Sequence, residues 1–169
     1  MRFQFELWHF SMIKGLMSEA ESEPRAELPK KRKSGIPAGN AGEYFVMGEL
    51  LRRGFDAQLA DRNTASYDLL VGRQEEASLH KVQIKTVRSP PWYVKVADFE
   101  GDMAGVTIYV LLGDERASKA VRYFITFNRE LAEHIHRPPG WPTNAFMPLK
   151  AVERYENCWD LLNVLNLSS

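Results

Sequence analysis

Four side chains between positions 43 and 85 have the types and order of a metal-assisted hydrolysis site. Tyr67 to Val71 and Lys81 to Thr86 are two short runs of aliphatic and β-branched residues bounded by polar breakers, the signature of paired strands. The polar stretch Gly72 to Ser78 is suited to connect them as a hairpin. Alternation along the second run points Val82 and Ile84 to one face and Lys81, Gln83 and Lys85 to the other. Asp68 opens the partner strand, where antiparallel pairing brings its carboxylate towards Gln83 and Lys85. A carboxylate, a second oxygen donor and an ammonium at one sheet end fit metal-assisted hydrolysis, because hard divalent cations prefer oxygen ligands and a nearby ammonium stabilises developing negative charge.

The element before the hairpin supplies a further acid. Asn40 with Glu43 three residues later reads as a capping box opening a helix that runs to about Arg53, with Val46, Met47, Leu50 and Leu51 as its apolar face. Gly54 is placed to end it in a left-handed conformation. Glu43 lies three and four positions before Val46 and Met47, so it projects from the first turn on the buried side, whereas Glu49 pairs with Arg53 on the surface. Taken alone, Glu43 is equally accounted for as the capping-box partner of Asn40, Asp68 as a turn residue, and Lys85 as a charge guarding an edge strand.

Further along, Phe55 to Ala60 is expected to be a strand, and the prolines at 90 and 91 to stop the one ending near Val87. Trp92, Tyr93 and Lys95 then form a loop or short strand. Val106 to Leu112 reads as a strand buried on both faces with Val121 to Phe127 beside it, and Asn128 as the cap of a short helix. Trp159, Leu161, Leu162 and Leu165 have near-helical spacing, which packs the tail against the sheet. This order of elements predicts an α/β fold: a mixed central β-sheet flanked by α-helices.

Composition bounds the rest. The chain has 169 residues, with 22 basic and 22 acidic side chains, so any nucleic-acid face must arise from local segregation of charge. Its single cysteine, Cys158, rules out an internal disulfide, and no Cys/His cluster suggests zinc. His134 and His136 are two apart and do not share a helical face. No apolar run reaches the roughly 20 residues of a membrane span, so a cytoplasmic protein with no membrane partner is expected. Residues 1–37 read as a flexible segment whose basic run Lys30, Lys31, Arg32 and Lys33 is first of all a solvated charge run, and otherwise resembles a nuclear-localisation peptide or an arm that touches phosphates; 38–169 read as the folded domain.

Glu43, Asp68, Gln83 and Lys85 together resemble the PD-(D/E)XK nuclease superfamily, whose pattern is a helix Glu, a hairpin Asp, then an acid or Gln, a spacer and a Lys. The nearest likeness is to archaeal Holliday junction resolvases and group I intron-associated endonucleases, in which a Gly-Glu helix ending in a Gly-aromatic turn precedes the hairpin, as Gly42, Glu43, Gly54 and Phe55 do here. The match spans about Ala41 to Val87. It departs from the pattern at Tyr67, where the superfamily has Pro, and at Gln83, where a negative charge is missing.

The resemblance implies a restriction-endonuclease-like core and a Mg²⁺-dependent DNA endonuclease, with Mn²⁺ as a substitute ion. It implies Asp68, Gln83 and the Ile84 carbonyl as metal ligands, Glu43 holding a water or second ion, and Lys85 assisting in-line attack. DNA is the implied partner and a homodimer is compatible with it. Independently of the resemblance, Arg88, Trp92, Tyr93 and Lys95 just beyond the site are candidates to contact phosphates or stack on a base, although an aromatic pair after Pro-Pro is more often local packing. The competing expectation is a catalytically silent nucleic-acid-binding or interaction module on the same fold.

Overall fold

The computed structural model describes residues 35–61, 67–73, 79–100, 105–113 and 119–164. The basic run Lys30 to Lys33, residues 62–66 and residues 165–169 lie outside these residues.

The first element, helix α1, spans Ile36–Arg52. It begins four residues before the expected cap: Gly35 is the N-cap and Pro37 sits in the first turn, where its missing N–H has no intrahelical partner to lose. Asn40 is therefore inside the helix and forms no capping box with Glu43. At the other end Gly54 has φ of +79°. The Gly54 N–H donates to the Leu51 carbonyl and the Phe55 N–H to the Leu50 carbonyl, each at 3.0 Å, which closes a Schellman motif. Phe55 then joins Leu50 in the core. Val46 and Leu50 are fully buried, while Leu51, expected on the apolar face, is exposed.

A five-stranded sheet follows, in the order β1-β2-β3-β5-β6. Strands β1 (Asp56–Leu59) and β2 (Leu69–Gly72) pair antiparallel, β2 pairs antiparallel with β3 (His80–Val87), β3 runs parallel to β5 (Val106–Leu111), and β5 pairs antiparallel with β6 (Arg122–Phe127). The sheet is mixed and its first hairpin is the expected one. Strand β5 is interior, between β3 and β6, and is covered on both faces, which is why its run of apolar residues lacks alternation.

Each face of the sheet has its own core. Val82 and Ile84 of β3, with Ile108 and Ile125, pack against Val46 and Leu50 of α1 and against Trp159 and Leu162 of the C-terminal segment. The opposite face buries Tyr109 and Phe124 under Trp92, Phe99, Leu131 and Met147. That second layer is built on an antiparallel ribbon of β4 (Trp92–Lys95) and β7 (Asn144–Met147). Strand β7 was not foreseen, because Asn144–Met147 is only four residues long and follows a proline-rich loop. Asn128 does not cap the 3-10 segment Asn128–His134; its side-chain oxygen accepts from the Thr107 hydroxyl at 2.7 Å.

Helix α1 is seated at one very close contact. A Cβ on Gly42 would overlap the Thr86 hydroxyl and lie 2.8 Å from that residue's Cβ and methyl carbon. Glycine at 42 thus lets the helix backbone rest directly on the far half of β3 and sets the height at which the adjacent Glu43 emerges. Alanine is the better helix former by about 1 kcal/mol, but the overlap is with a branched side chain on a sheet and cannot swing aside. We expect Gly42→Ala to destabilise the fold by about 1–3 kcal/mol in denaturant unfolding, with part of the loss recovered in the Gly42→Ala/Thr86→Ala double variant. Additive losses would place the contact elsewhere.

Candidate functional site

The site is made where two strands part. Strands β2 and β3 are in register only from Val71↔His80 to Leu69↔Val82, while β3 continues alongside β5 as far as Val87. Half of β3 therefore has an open edge on the β2 side. Asp68 stands at the fork: its N–H donates to the Val82 carbonyl at 2.9 Å, and its carbonyl accepts from the Ala60 N–H at 2.9 Å. Its side chain then takes over the ladder. Asp68 Oδ2 accepts from the Ile84 N–H at 2.6 Å, in place of the backbone oxygen that a continuing β2 would have offered. Because the N–H and C=O of one strand residue point to the same edge, the Ile84 carbonyl also faces this opening.

Asp68 shares its surroundings with the helix acid. A cleft of about 300 Å³ is lined by Ile36, Asn40, Glu43 and Tyr44 of α1 and by Leu59, Ala60, Asp61, Tyr67 and Asp68 of the β1–β2 pair. Glu43 is half-buried there, so its expected inward placement holds even though its capping role does not. Asp61 is a third carboxylate on the wall, unrecognised in the sequence because it lies in a polar turn that reads as a loop. The oxygen-rich lining, without sulfur or imidazole, suits a hard divalent cation such as Mg²⁺, which binds one or two carboxylates and retains several waters. Among the described residues, however, no three acid, imidazole or thiol groups converge closely enough to hold a metal by themselves.

Gln83 and Lys85 do not line that cleft. They project from β3 on the face opposite α1, half-buried, towards Asp98 in the 3-10 turn Val96–Phe99. Lys85 Nζ lies 3.7 Å from Asp98 Oδ2. With the Gln83 amide turned so that both of its ends are satisfied, its nitrogen donates to Asp98 Oδ2 at 3.2 Å and its oxygen accepts from Lys85 Nζ at 3.1 Å. Asp98 was missed because it is distant in sequence from the motif, although it follows the aromatic stretch that drew attention. Beneath this cluster the Tyr109 phenol, opposite Lys85 in the β3–β5 register, has its ionisation pushed far up by burial and secondarily by Asp98.

Of the expected nucleic-acid contacts, Arg88 and Lys95 are exposed. Trp92 must be withdrawn from that list. It is fully buried, its indole N–H donates to the Val110 carbonyl at 3.1 Å, and its ring packs edge-on against Tyr109 and Phe124. Strand alternation turns its neighbour outward instead: Tyr93 is 64% exposed and stands against Phe146 and Trp141, with ring centroids 4.9 and 6.3 Å away. His134 and His136 are both exposed and belong to no metal cluster among the described residues. No described helix is long and apolar enough to cross a membrane.

Known structures place this architecture. The chain superposes on the bacterial homing endonuclease I-Ssp6803I with a TM-score of 0.50 and 14% identity, over 80% of this chain and 95% of that one. The Holliday junction resolvase Hjc from Archaeoglobus fulgidus gives a TM-score of 0.43 and 16% identity, over 69% and 88% of the two chains. No family model and no curated protein sequence matches. The chain thus shares the mixed α/β fold of I-Ssp6803I.

The Asp68 contact makes a prediction independent of activity. A charge-assisted hydrogen bond is worth about 1.5–3 kcal/mol, so Asp68→Ala should speed hydrogen exchange at the Ile84 amide by about 10- to 100-fold, with little change in the deep β5 amides. Unchanged protection at Ile84 would mean that the carboxylate does not carry the ladder past the fork.

Proposed function

We propose that the protein is a Mg²⁺-dependent DNA endonuclease that hydrolyses phosphodiester bonds, with Mn²⁺ able to replace Mg²⁺. The observation that carries this reading is the position of Asp68, at the fork of β2 and β3 and sharing a cleft with Glu43, within a nuclease-type fold. The site residues proposed are Glu43, Asp68, Gln83 and Lys85, with the Ile84 carbonyl.

In this reading Asp68 and the Ile84 carbonyl would hold the ion at the open edge of β3, and the Gln83 amide oxygen would join them only by turning away from Lys85. When bound, the divalent ion supplies Lewis-acid stabilisation of the phosphoryl oxygens and lowers the pKa of a water. The Ile84 N–H fixes one oxygen of Asp68, so the other is held at the opening without loss of rotamer freedom on binding. Glu43, across the cleft, accepts a hydrogen bond from the attacking water and orients it. Lys85 extends from the same unpaired stretch of β3 and supplies positive charge to the phosphoryl oxygens as negative charge builds on them. Arg88 and Lys95 contact backbone phosphates and Tyr93 offers its ring to a base. The basic run Lys30 to Lys33 is a further phosphate contact, and a homodimer accounts for cutting both strands of a duplex.

One observation favours the non-cleaving alternative, a nucleic-acid-binding module on the same fold: Gln83 stands where the nuclease pattern carries an acid, and its amide is engaged by Lys85 and Asp98. Linear, nicked, branched and single-stranded DNA incubated with Mg²⁺ or Mn²⁺ separates the two. We expect cleavage that EDTA abolishes and that falls at least about 100-fold in Asp68→Ala and in Lys85→Ala. Metal-dependent cutting that survives both substitutions would refute the site; binding without cutting by the wild type would leave the module.

The strand alternation in β4 separates two aromatic roles. Tyr93→Ala should weaken binding of single-stranded or branched DNA by about 1–3 kcal/mol with the fold intact. Trp92→Ala should cost about 3–5 kcal/mol of stability, as expected for a fully buried ring. Equal loss of DNA affinity from a stably folded Trp92→Ala protein would reverse these roles.

A further inference from the structure

The negative charge that Gln83 lacks is present beside it, on Asp98. We propose that Asp98 is the displaced acid of this site, a positioning residue that acts through Gln83 and Lys85; the inference rests on the nuclease reading given above. With the Gln83 amide in the orientation that satisfies both of its ends, three contacts close a triangle: Gln83 amide nitrogen to Asp98 Oδ2 at 3.2 Å, Lys85 Nζ to the Gln83 oxygen at 3.1 Å, and Lys85 Nζ to Asp98 Oδ2 at 3.7 Å. Only an amide at position 83 completes it, since it must donate to a carboxylate at one end and accept from an ammonium at the other. A glutamate there would set two carboxylates against each other.

Charge counting gives the triangle its meaning. An acid, a spacer and a lysine on one strand sum to zero. Gln83 with Lys85 alone would leave one uncompensated positive charge next to the proposed cation site, and Asp98 returns the sum to zero. The number of ligand and neighbouring charges tunes divalent-ion affinity, so the presence of Asp98 should be read in how tightly the ion is held. Asp98 is also well placed to stay put. Val96 and Phe99, on either side of it, are buried in the second core, and the Asp98 and Lys85 side chains are only 21% and 20% exposed. The triangle in turn holds the lysine stem, so that its ammonium is presented from one place.

The test compares wild type, Asp98→Asn, Gln83→Glu and the Gln83→Glu/Asp98→Asn pair. Mn²⁺ affinity is read by electron paramagnetic resonance titration without DNA, DNA cleavage as kcat and KM, and stability by denaturant unfolding. Asp98→Asn is expected to weaken Mn²⁺ binding about tenfold and to lower kcat with KM little changed. Gln83→Glu alone is expected to destabilise the fold, because it faces Asp98 with like charge. The pair, with its acid moved back to position 83, is expected to regain Mn²⁺ affinity and kcat to within about threefold of wild type. It keeps a carboxylate beside Lys85, so it stays informative even if Asp98→Asn alone fails to fold.

Wild-type values in Asp98→Asn, or a folded pair no better than Asp98→Asn, would overturn the proposal while leaving the nuclease reading standing. A wild-type protein with neither cleavage nor Asp68-dependent Mn²⁺ binding would overturn both.

Discussion

The hydrogen bond from the Ile84 N–H to Asp68 Oδ2 is the contact around which this structure is arranged. A strand cannot simply lose its partner half-way along, because its edge N–H and C=O groups need new partners or water. Here a carboxylate receives the first orphaned N–H, which lets β2 turn away towards β1 while β3 continues beside β5. The parting leaves a space, α1 roofs it, and Gly42 determines how close the roof comes. A short carboxylate side chain at position 68 therefore has two jobs at once: it ends one pairing and it lines the resulting cleft.

The two cores divide this labour. The α1 side, with Val46, Leu50, Val82 and Ile84, fixes the helix against β3 and so fixes Glu43 relative to Asp68. The other side, with Trp92, Phe99, Tyr109 and Met147, builds the ribbon and the 3-10 turn that carry Asp98 to Gln83 and Lys85. Successive residues of β3 belong alternately to these layers. Ile84 thus anchors the strand to the helix side, while Gln83 and Lys85 meet a carboxylate supplied from the opposite side.

Much of this was readable from local pattern. The hairpin, the mixed sheet, the left-handed end of α1 and the inward placement of Glu43 follow from alternation, helical period and one glycine. What escaped depends on contacts between distant segments or on short signals. Proline at 37 starts the helix earlier than Asn40 would, so a capping box that fitted by spacing does not form. Trp92 looked available because its strand is four residues long; the inward step of alternation buries it and exposes Tyr93. Asp98 could not be assigned from sequence, since only the fold of β4 and the turn after it brings that carboxylate to β3.

The account turns on where a divalent cation sits. Crystals of the protein with a DNA duplex and Mn²⁺, with data collected at the manganese absorption edge, show the ion directly by its anomalous scattering. The account predicts a peak at the fork of β2 and β3, in contact with Asp68 and the Ile84 carbonyl and within reach of Glu43. A fully occupied peak elsewhere, with Asp68 bonded only to the Ile84 N–H, would contradict it.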